Sequence, residues 1–193
     1  MEVFGMRRFF ALGLLVAGLL PAQVATWEID PAHSSSRFSV RHMVLSDVPG
    51  DFANTRGIVQ WDPKNPATTV MDVTIDAATI NTKNPKRDAH LRSADFFEAE
   101  KYPTITFKST KAERGGDGKL RVMGDLTMHG VTKPVTLLVE GPTPEVKGRM
   151  GASATTRVNR KDFGLLWNKA LETGGLVLAD EVSITLNVEL VKK

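Results

Sequence analysis

Apolar and polar residues alternate with a period of two through most of the chain, which predicts β-strands with one buried face. The clearest strand is residues 181–190, in which every even-numbered residue from Val182 to Leu190 is apolar. Similar patterns, bounded by Gly, Pro and Asp turn residues, predict seven more strands. These strands span residues 37–43, 52–61, 71–76, 104–108, 120–128, 135–140 and 148–158.

Helical signals are few. Asn84 as N-cap and Pro85 at the first helical position predict a helix to about Ser93, with Leu91 and Ala94 facing inward. A weaker pattern predicts a short helix over residues 165–171. Because such helices cannot supply repeated crossovers between parallel strands, about eight antiparallel strands must form a sandwich or a closed barrel. Alternation alone does not decide between these two.

The first residues have the pattern of a secretory signal peptide. Arg7 and Arg8 precede an apolar run of 12 residues, 9–20, which ends at Pro21 and Ala22. This run is shorter than the roughly 20 residues of a membrane-spanning helix, although an uncleaved N-terminal anchor is the alternative. We therefore expect a signal peptide at residues 1–22, with cleavage as late as residue 25. Residues 23–193 would form one domain without a stable membrane span, in the bacterial periplasm or secreted.

The amino-acid composition and the absence of known motifs exclude several kinds of functional site. The 193 residues include no Cys, which excludes disulfides, a thiolate nucleophile, a Cys zinc site and an iron–sulfur cluster. With 25 Lys and Arg against 22 Asp and Glu, and no basic stripe with interleaved aromatics, nucleic acid is not an expected partner. Phosphate-binding, dinucleotide-binding, metalloprotease and nucleophile-elbow motifs are absent. The sequence therefore predicts no cofactor, no metal and no catalytic residues.

Histidines are the remaining candidates for chemistry. His42 lies on the same strand face as Phe38 and Val40, where it is either a satisfied core residue or a polar group that orients a ligand in an apolar pocket. An enzyme of unrecognised mechanism, using His33, His42 or His90, is an alternative function. It requires two of these histidines, or one with a carboxylate, within about 3 Å of each other in a pocket.

A series of motifs in a fixed order resembles the YceI-like family of secreted bacterial proteins. The resemblance covers nearly all of residues 26–190. Its motifs are DPAHSS at 30–35, FSVRH at 38–42, VPGDF at 48–52, HLRSADFF at 90–97, KYPTITF at 101–107, GDLTMHGVTKPV at 124–135, NRKDFGL at 159–165 with Trp167, and DEV at 180–182.

The resemblance implies a mainly β fold, namely a single antiparallel eight-stranded lipocalin-like β-barrel with one or two short helices. It also implies a non-enzymatic protein that sequesters or carries a long isoprenoid lipid, such as a polyprenyl chain or a quinone tail. An eight-stranded barrel is wide enough to hold one slender ligand. Each buried methylene contributes about 0.8 kcal/mol, so an apolar cavity needs no catalytic group to bind such a chain.

Inward-facing residues of the predicted strands, together with the motif residues, give a candidate ligand site. The proposed lining is Phe38, Val40, Phe52, Ile58, Val73, Ile75, Ile105, Phe107, Leu126, Phe163 and Trp167. The candidate head-group contacts are His42, Arg92 and Arg160.

One departure from the family pattern affects this site. Ser36 stands where family members usually have an aliphatic residue, which predicts a wetter mouth at this end of the barrel or a less apolar ligand. A second alternative function is a stress or interaction protein with a solid core, which a cavity below about 300 Å³ would favour. No residue pattern demands an oligomeric state, and a homodimer stays open.

Overall fold

Ten antiparallel strands and one α-helix make up most of the part of the chain that the structure describes. A computed structural model describes residues 24–170 and 176–193, so the predicted signal peptide lies outside the described residues. The strands are β1 Ala25–Ile29, β2 Ser35–His42, β3 Ser46–Phe52, β4 Arg56–Trp61, β5 Val70–Asp76, β6 Thr104–Arg114, β7 Leu120–Met128, β8 Val131–Glu140, β9 Arg149–Asn159 and β10 Leu178–Lys192. Helix α1 is Pro85–Arg92, and short 3₁₀ turns occupy Pro66–Thr68, Ala77–Thr79 and Arg160–Phe163.

The sheet closes on itself through β10. Strands β1 and β4 to β10 are hydrogen-bonded in the order β1-β4-β5-β6-β7-β8-β9-β10, and β10 pairs again with β1. The C-terminal end of β10 aligns Leu190 with Ile29 of β1, and its earlier part aligns Leu186 with Ser36 of β2. The β2–β3 hairpin thereby lengthens the wall beyond β1 and β4. The predicted antiparallel eight-stranded barrel is confirmed.

The sequence pattern does not predict β1 or β3 as strands. The predicted strand at residues 52–61 is divided, because Phe52 ends β3 and Arg56 begins β4, with Asn54 between them at a φ of 56°. Strand β3 contains Pro49 and Gly50 and therefore shows no apolar alternation. Gly50 is required there, since a Cβ atom would lie 2.3 Å from the Phe38 ring.

Helix α1 begins as predicted, with the Asn84 side chain accepting a hydrogen bond of 3.0 Å from the Arg87 N–H. Leu91 contributes to the interior, whereas Ala94 lies beyond the helix and is exposed, against expectation. The second predicted helix is wrong for residues 165–170, which are not helical, and Leu171 lies outside the described residues. The 3₁₀ turn ends at Gly164 with a φ of 76°, and Arg160 occupies the carbonyls of Leu165 and Trp167 that a helix would use.

One end of the barrel is filled by side chains. Trp27 and Val59 face each other between β1 and β4, and Ile29 and Leu190 do so between β1 and β10. All four are at most 6% exposed. Packing of this kind leaves room for a ligand only toward the opposite end.

An ion-pair cluster ties this closed end together. Arg149 of β9 donates a hydrogen bond of 3.0 Å to Asp30 and another to Glu189 of β10, and His33 lies 2.9 Å from Asp30. The hydrogen bonds from His33, Arg149 and the Ala32 N–H lower the pKa of Asp30 from 3.8 to about 2. The carboxylate after β1 is therefore fixed to β9 and, through Arg149, to β10.

We predict that Asp30 makes the stability of the barrel depend on acid pH. Because its folded pKa lies below its ordinary value, its contribution is complete above about pH 4 and is lost as the pH falls toward 2. Asp30→Asn should therefore lower the melting temperature at neutral pH and flatten its decline in acid. Thermal unfolding across this pH range measures both effects.

Asp72→Asn is the matched control, because Asp72 and Lys108 form an exposed pair 3.5 Å apart on the neighbouring strands β5 and β6, outside the ion-pair cluster. It should leave the acid profile close to that of the original protein. Equal profiles for Asp30→Asn and the original protein would contradict the prediction.

Candidate functional site

An apolar cavity of about 370 Å³ occupies the barrel between the filled end and the tip of the β2–β3 hairpin. Its lining includes the partly exposed side chains of His42, His90 and Trp167, which we call the mouth. Its size exceeds the limit of about 300 Å³ set for a solid-core protein, so the structure favours a binding role over that alternative.

The structure brings most of the predicted site residues together around this cavity. Those that line it are Phe38, Val40, His42, Phe52, Val73, Ile75, Ile105, Phe107, Leu126, Arg160 and Trp167. They come from strands on all sides of the barrel, because alternate residues of each strand face the interior.

Three predicted residues do not line the cavity. Ile58 lies in register with Glu28 and Asp72 on the opposite face of β4, and its neighbour Val59 faces inward instead. Phe163, the last residue of the 3₁₀ turn, is 1% exposed and packs into the hydrophobic core. Arg92 points to the loop before α1, where it donates hydrogen bonds of 3.5 and 3.3 Å to the carbonyls of Ala78 and Ile80.

Several lining residues were not predicted as part of the site. Leu91, Phe96 and Phe97 reach the cavity from α1 and the segment after it. Val182, Ile184 and Leu186 line it from β10. The alternation of β10 had already placed the last three inward, whereas no periodic signal marks the two phenylalanines outside a regular element.

A buried polar network fixes the start of α1 against the barrel. Asp88 accepts hydrogen bonds from the Thr82 N–H at 2.8 Å and from the Thr82 hydroxyl at 2.5 Å. Arg87 donates to the same hydroxyl at 2.7 Å and to the Thr82 carbonyl at 2.8 Å. Burial acts to raise the pKa of Asp88, but these hydrogen bonds and the nearby Arg92 and Arg87 outweigh it and hold the pKa below its ordinary value.

Aromatic contacts shape one side of the mouth. The His90 ring packs edge-on against Phe96 and Trp167, with centroid distances of 5.1 and 5.0 Å. Its Nε2 atom lies 2.8 Å from Asp95, so this pair meets the distance set for the enzyme alternative. Within the described residues no hydroxyl hydrogen-bonds to the other ring nitrogen. The visible role of the pair is to hold the aromatic side of the mouth.

Arg160 stabilises the neighbouring segment from inside. It is 4% exposed and donates hydrogen bonds to the carbonyls of Ala179 at 2.9 Å, Trp167 at 2.9 Å and Leu165. Burial lowers the pKa of Arg160, while Asp180, 3.4 Å away, acts in the opposite direction. Its donors are directed at backbone carbonyls, which makes it a support for Trp167.

His42 differs from these groups. It lines the cavity at the mouth, and its ring makes no hydrogen bond within residues 24–170 and 176–193. An imidazole in this position has both nitrogens available for a polar group at the end of an apolar ligand.

The expectation of a wetter mouth at Ser36 is wrong. Ser36 is 2% exposed and lies deep in the barrel, where its hydroxyl is 2.6 Å from the Thr55 hydroxyl. Thr55 lines a second, smaller cavity of about 60 Å³ on the side of the filled end. One hydroxyl donates to the other inside the barrel, so this polar pair does not make the surface opening wetter.

Exposed aliphatic side chains surround the mouth. We call Met43, Val44, Leu45, Leu166 and Leu176 the rim. Val44 and Leu45 are each 76% exposed at the hairpin tip, and Leu166 is 64% exposed beside Trp167. The Met43 N–H donates to the Val177 carbonyl at 2.8 Å, which places the hairpin tip against Leu176. Contiguous exposed apolar residues of this kind mark interaction surfaces.

A possible metal-ligand group lies elsewhere. Ligand atoms of Asp30, His33 and Glu189 come within 4.8 Å of one another. The Arg149 guanidinium contacts both carboxylates, so this group is the ion-pair cluster at the closed end of the barrel. None of the helices in the described part of the chain is long and apolar enough to cross a membrane.

We predict that Arg160 is needed to hold the Trp167 segment. Arg160→Met should lower the free energy of unfolding by about 3 kcal/mol, because it leaves buried carbonyls unpaired. Arg157→Ala is the control: Arg157 lies on β9, three residues before Arg160, in an exposed pair with Glu181, and its loss should cost below about 0.5 kcal/mol. Urea unfolding measures both, and equal losses would contradict the assignment.

Comparison with known proteins identifies the family. The sequence model of the YceI-like domain matches residues 27–190. A UPF0312 protein of Vibrio parahaemolyticus is 42% identical over 167 residues, which cover 82% of this chain and 88% of that protein. The crystal structure of Burkholderia cenocepacia BcnA is similar with a TM-score of 0.74 and 25% identity, covering 83% of this chain and 98% of that one.

A third similar structure is described as a polyisoprenoid binding domain from Saccharophagus degradans, implicated in plant cell wall breakdown. It is 15% identical with a TM-score of 0.64, covers 89% of this chain and 100% of that domain, and therefore shows a shared fold. The match to the domain model and the curated relative carry the assignment: this chain belongs to the YceI-like family.

Proposed function

We propose that the barrel binds a single long isoprenoid chain, such as a polyprenyl lipid or a quinone tail, and carries or sequesters it in the bacterial periplasm. The observation that carries this proposal is the cavity of about 370 Å³ with a largely apolar lining. A chain that enters tail first leaves its polar end at the mouth.

The distribution of polar groups supports this orientation. His42 and His90 lie at the mouth, whereas the middle of the cavity is lined by residues such as Ile105, Phe107 and Leu126. Removing each methylene-sized group from water contributes about 0.8 kcal/mol, so affinity can come from the chain alone. A head group then needs only the few hydrogen bonds that the mouth supplies.

The comparisons support the same ligand class. One solved domain with this fold is described as polyisoprenoid binding, and this chain shares its barrel. The His90–Asp95 pair keeps an enzyme as the second candidate. Hydrolysis or transfer at a head group held beside His90 would favour the enzyme, and binding without turnover favours the carrier.

The proposed location rests on the signal-peptide pattern of residues 1–22. A carrier between membranes must take up its ligand from a bilayer, and the rim supplies aliphatic side chains directly beside the mouth. These features support a periplasmic protein that exchanges lipid with membranes.

We predict that filling the cavity blocks lipid binding. Val182→Trp places a large ring inside, whereas Ser183→Trp places the same ring on the exposed face of β10. Val182→Trp should lose at least about tenfold in affinity for an all-trans isoprenol, because it displaces several bound methylenes. Native mass spectrometry with added isoprenol measures the bound fraction. Equal binding by the two variants would place the ligand outside the cavity.

We also predict that the rim controls uptake from membranes. Val44→Ser with Leu45→Ser should slow transfer of an isoprenol from phosphatidylcholine vesicles, while the amount bound at equilibrium stays unchanged. Stopped-flow transfer and equilibrium native mass spectrometry separate the two quantities. Val146→Ser, which changes another exposed aliphatic residue away from the mouth, is the control. An unchanged transfer rate in the double variant would show that the rim does not control uptake.

A further inference from the structure

Five side chains separate the main cavity from the smaller one. Val73, Leu137 and Leu186 line both cavities, whereas Ser36 lines the larger and Thr55 the smaller. We call these five residues the floor. The smaller cavity measures about 60 Å³, and the packed end of the barrel lies beyond it.

The strand register explains how a polar pair enters this apolar wall. Ser36 of β2 lies between Leu186 of β10 and Phe52 of β3. Thr55 lies in the break between β3 and β4, directly below this row. Their oxygen atoms are 2.6 Å apart, and the two residues are 2% and 1% exposed.

The hydroxyl pair resists passage of an apolar chain. Within the residues that the structure describes, neither hydroxyl has another hydrogen-bond partner. A chain that passed between them would separate two buried polar groups and leave both unsatisfied, which is unfavourable. The aliphatic members of the floor, which line both cavities, form the rest of the boundary between them.

We propose that the floor sets the length of isoprenoid chain that the barrel encloses. This inference rests on the proposed function and specifies its substrate. A chain that ends at the floor is fully covered. Each further isoprene unit projects from the mouth into water and loses burial relative to a bilayer, so longer chains return to the membrane. Shorter chains leave part of the cavity empty and gain less. Binding from a membrane should therefore favour one chain length.

The experiment measures which chain length the protein takes up from a mixture of isoprenols. Phosphatidylcholine vesicles contain an equimolar series of all-trans isoprenols that differ by one isoprene unit. The protein is equilibrated with these vesicles and recovered, and native mass spectrometry gives the distribution of bound lengths. The original protein should show a single maximum, with at least about tenfold less of the chain one unit longer and a smaller decrease for the chain one unit shorter.

Leu186→Ala opens the floor and joins the two cavities, so the maximum should shift to a chain at least one isoprene unit longer. Ile184→Ala is the matched control, because Ile184 occupies the preceding inward position of β10 and lines only the main cavity. It removes a comparable side chain above the floor and should leave the maximum at the original length or, by widening the cavity, broaden it. Val73→Ala opens the same floor from β5 and replaces Leu186→Ala if that variant does not fold.

The outcomes distinguish this inference from the proposed function. If the original protein takes up no isoprenol, the proposed function is wrong. If it binds isoprenols without a preferred length, or if Leu186→Ala and Val73→Ala keep the original maximum, the barrel still binds the lipid but the floor does not set the length of the bound chain. A shift in both floor variants and none in Ile184→Ala supports the inference.

Discussion

Strand β10 is the element on which the rest of the structure depends. It contains 15 residues, pairs with β9 along one edge, and pairs with both β1 and β2 along the other. Pairing with β1 closes the ring of strands over a packed end, and pairing with β2 extends the wall around an open end. A shorter β10 would close a solid barrel or leave the β2–β3 hairpin unattached. The cavity thus follows from how far one strand continues.

The described site combines a rigid wall with a separately supported mouth. The strands present alternate residues such as Ile105, Phe107 and Leu126 to the interior, where they need only be apolar. His42 of the mouth belongs to β2, whereas His90 and Trp167 lie in α1 and in the segment after the 3₁₀ turn, which lack a strand ladder. Hydrogen bonds made by polar side chains hold these two segments in place instead. Asp88 and Arg87 fix the loop before α1, and Arg160 fixes Trp167. These polar residues support the site, and the apolar residues form it.

The strand alternation predicted an antiparallel sheet and most of its inward-facing residues, because a strand has only two faces. The resemblance to the YceI-like family then decided for a closed barrel over a sandwich. The alternation failed where two apolar residues are adjacent. Ile58 and Val59 are equally apolar, and only the register with Trp27 and Met71 shows that Val59 faces inward. Ser36 was misplaced because polarity suggests solvent, whereas its partner Thr55 is 19 residues away. Likewise, charge alone did not separate Arg92, which binds backbone outside the cavity, from Arg160, which lines it.

The proposed function requires that the cavity hold an isoprenoid chain in the periplasm. The most direct test is native mass spectrometry of the chain expressed in a bacterium, released from the periplasm and purified without detergent, with identification of any lipid released. We expect a protein that begins between residues 23 and 26 and carries one noncovalently bound isoprenoid lipid. A lipid-free protein that also takes up no isoprenol when one is supplied would contradict it.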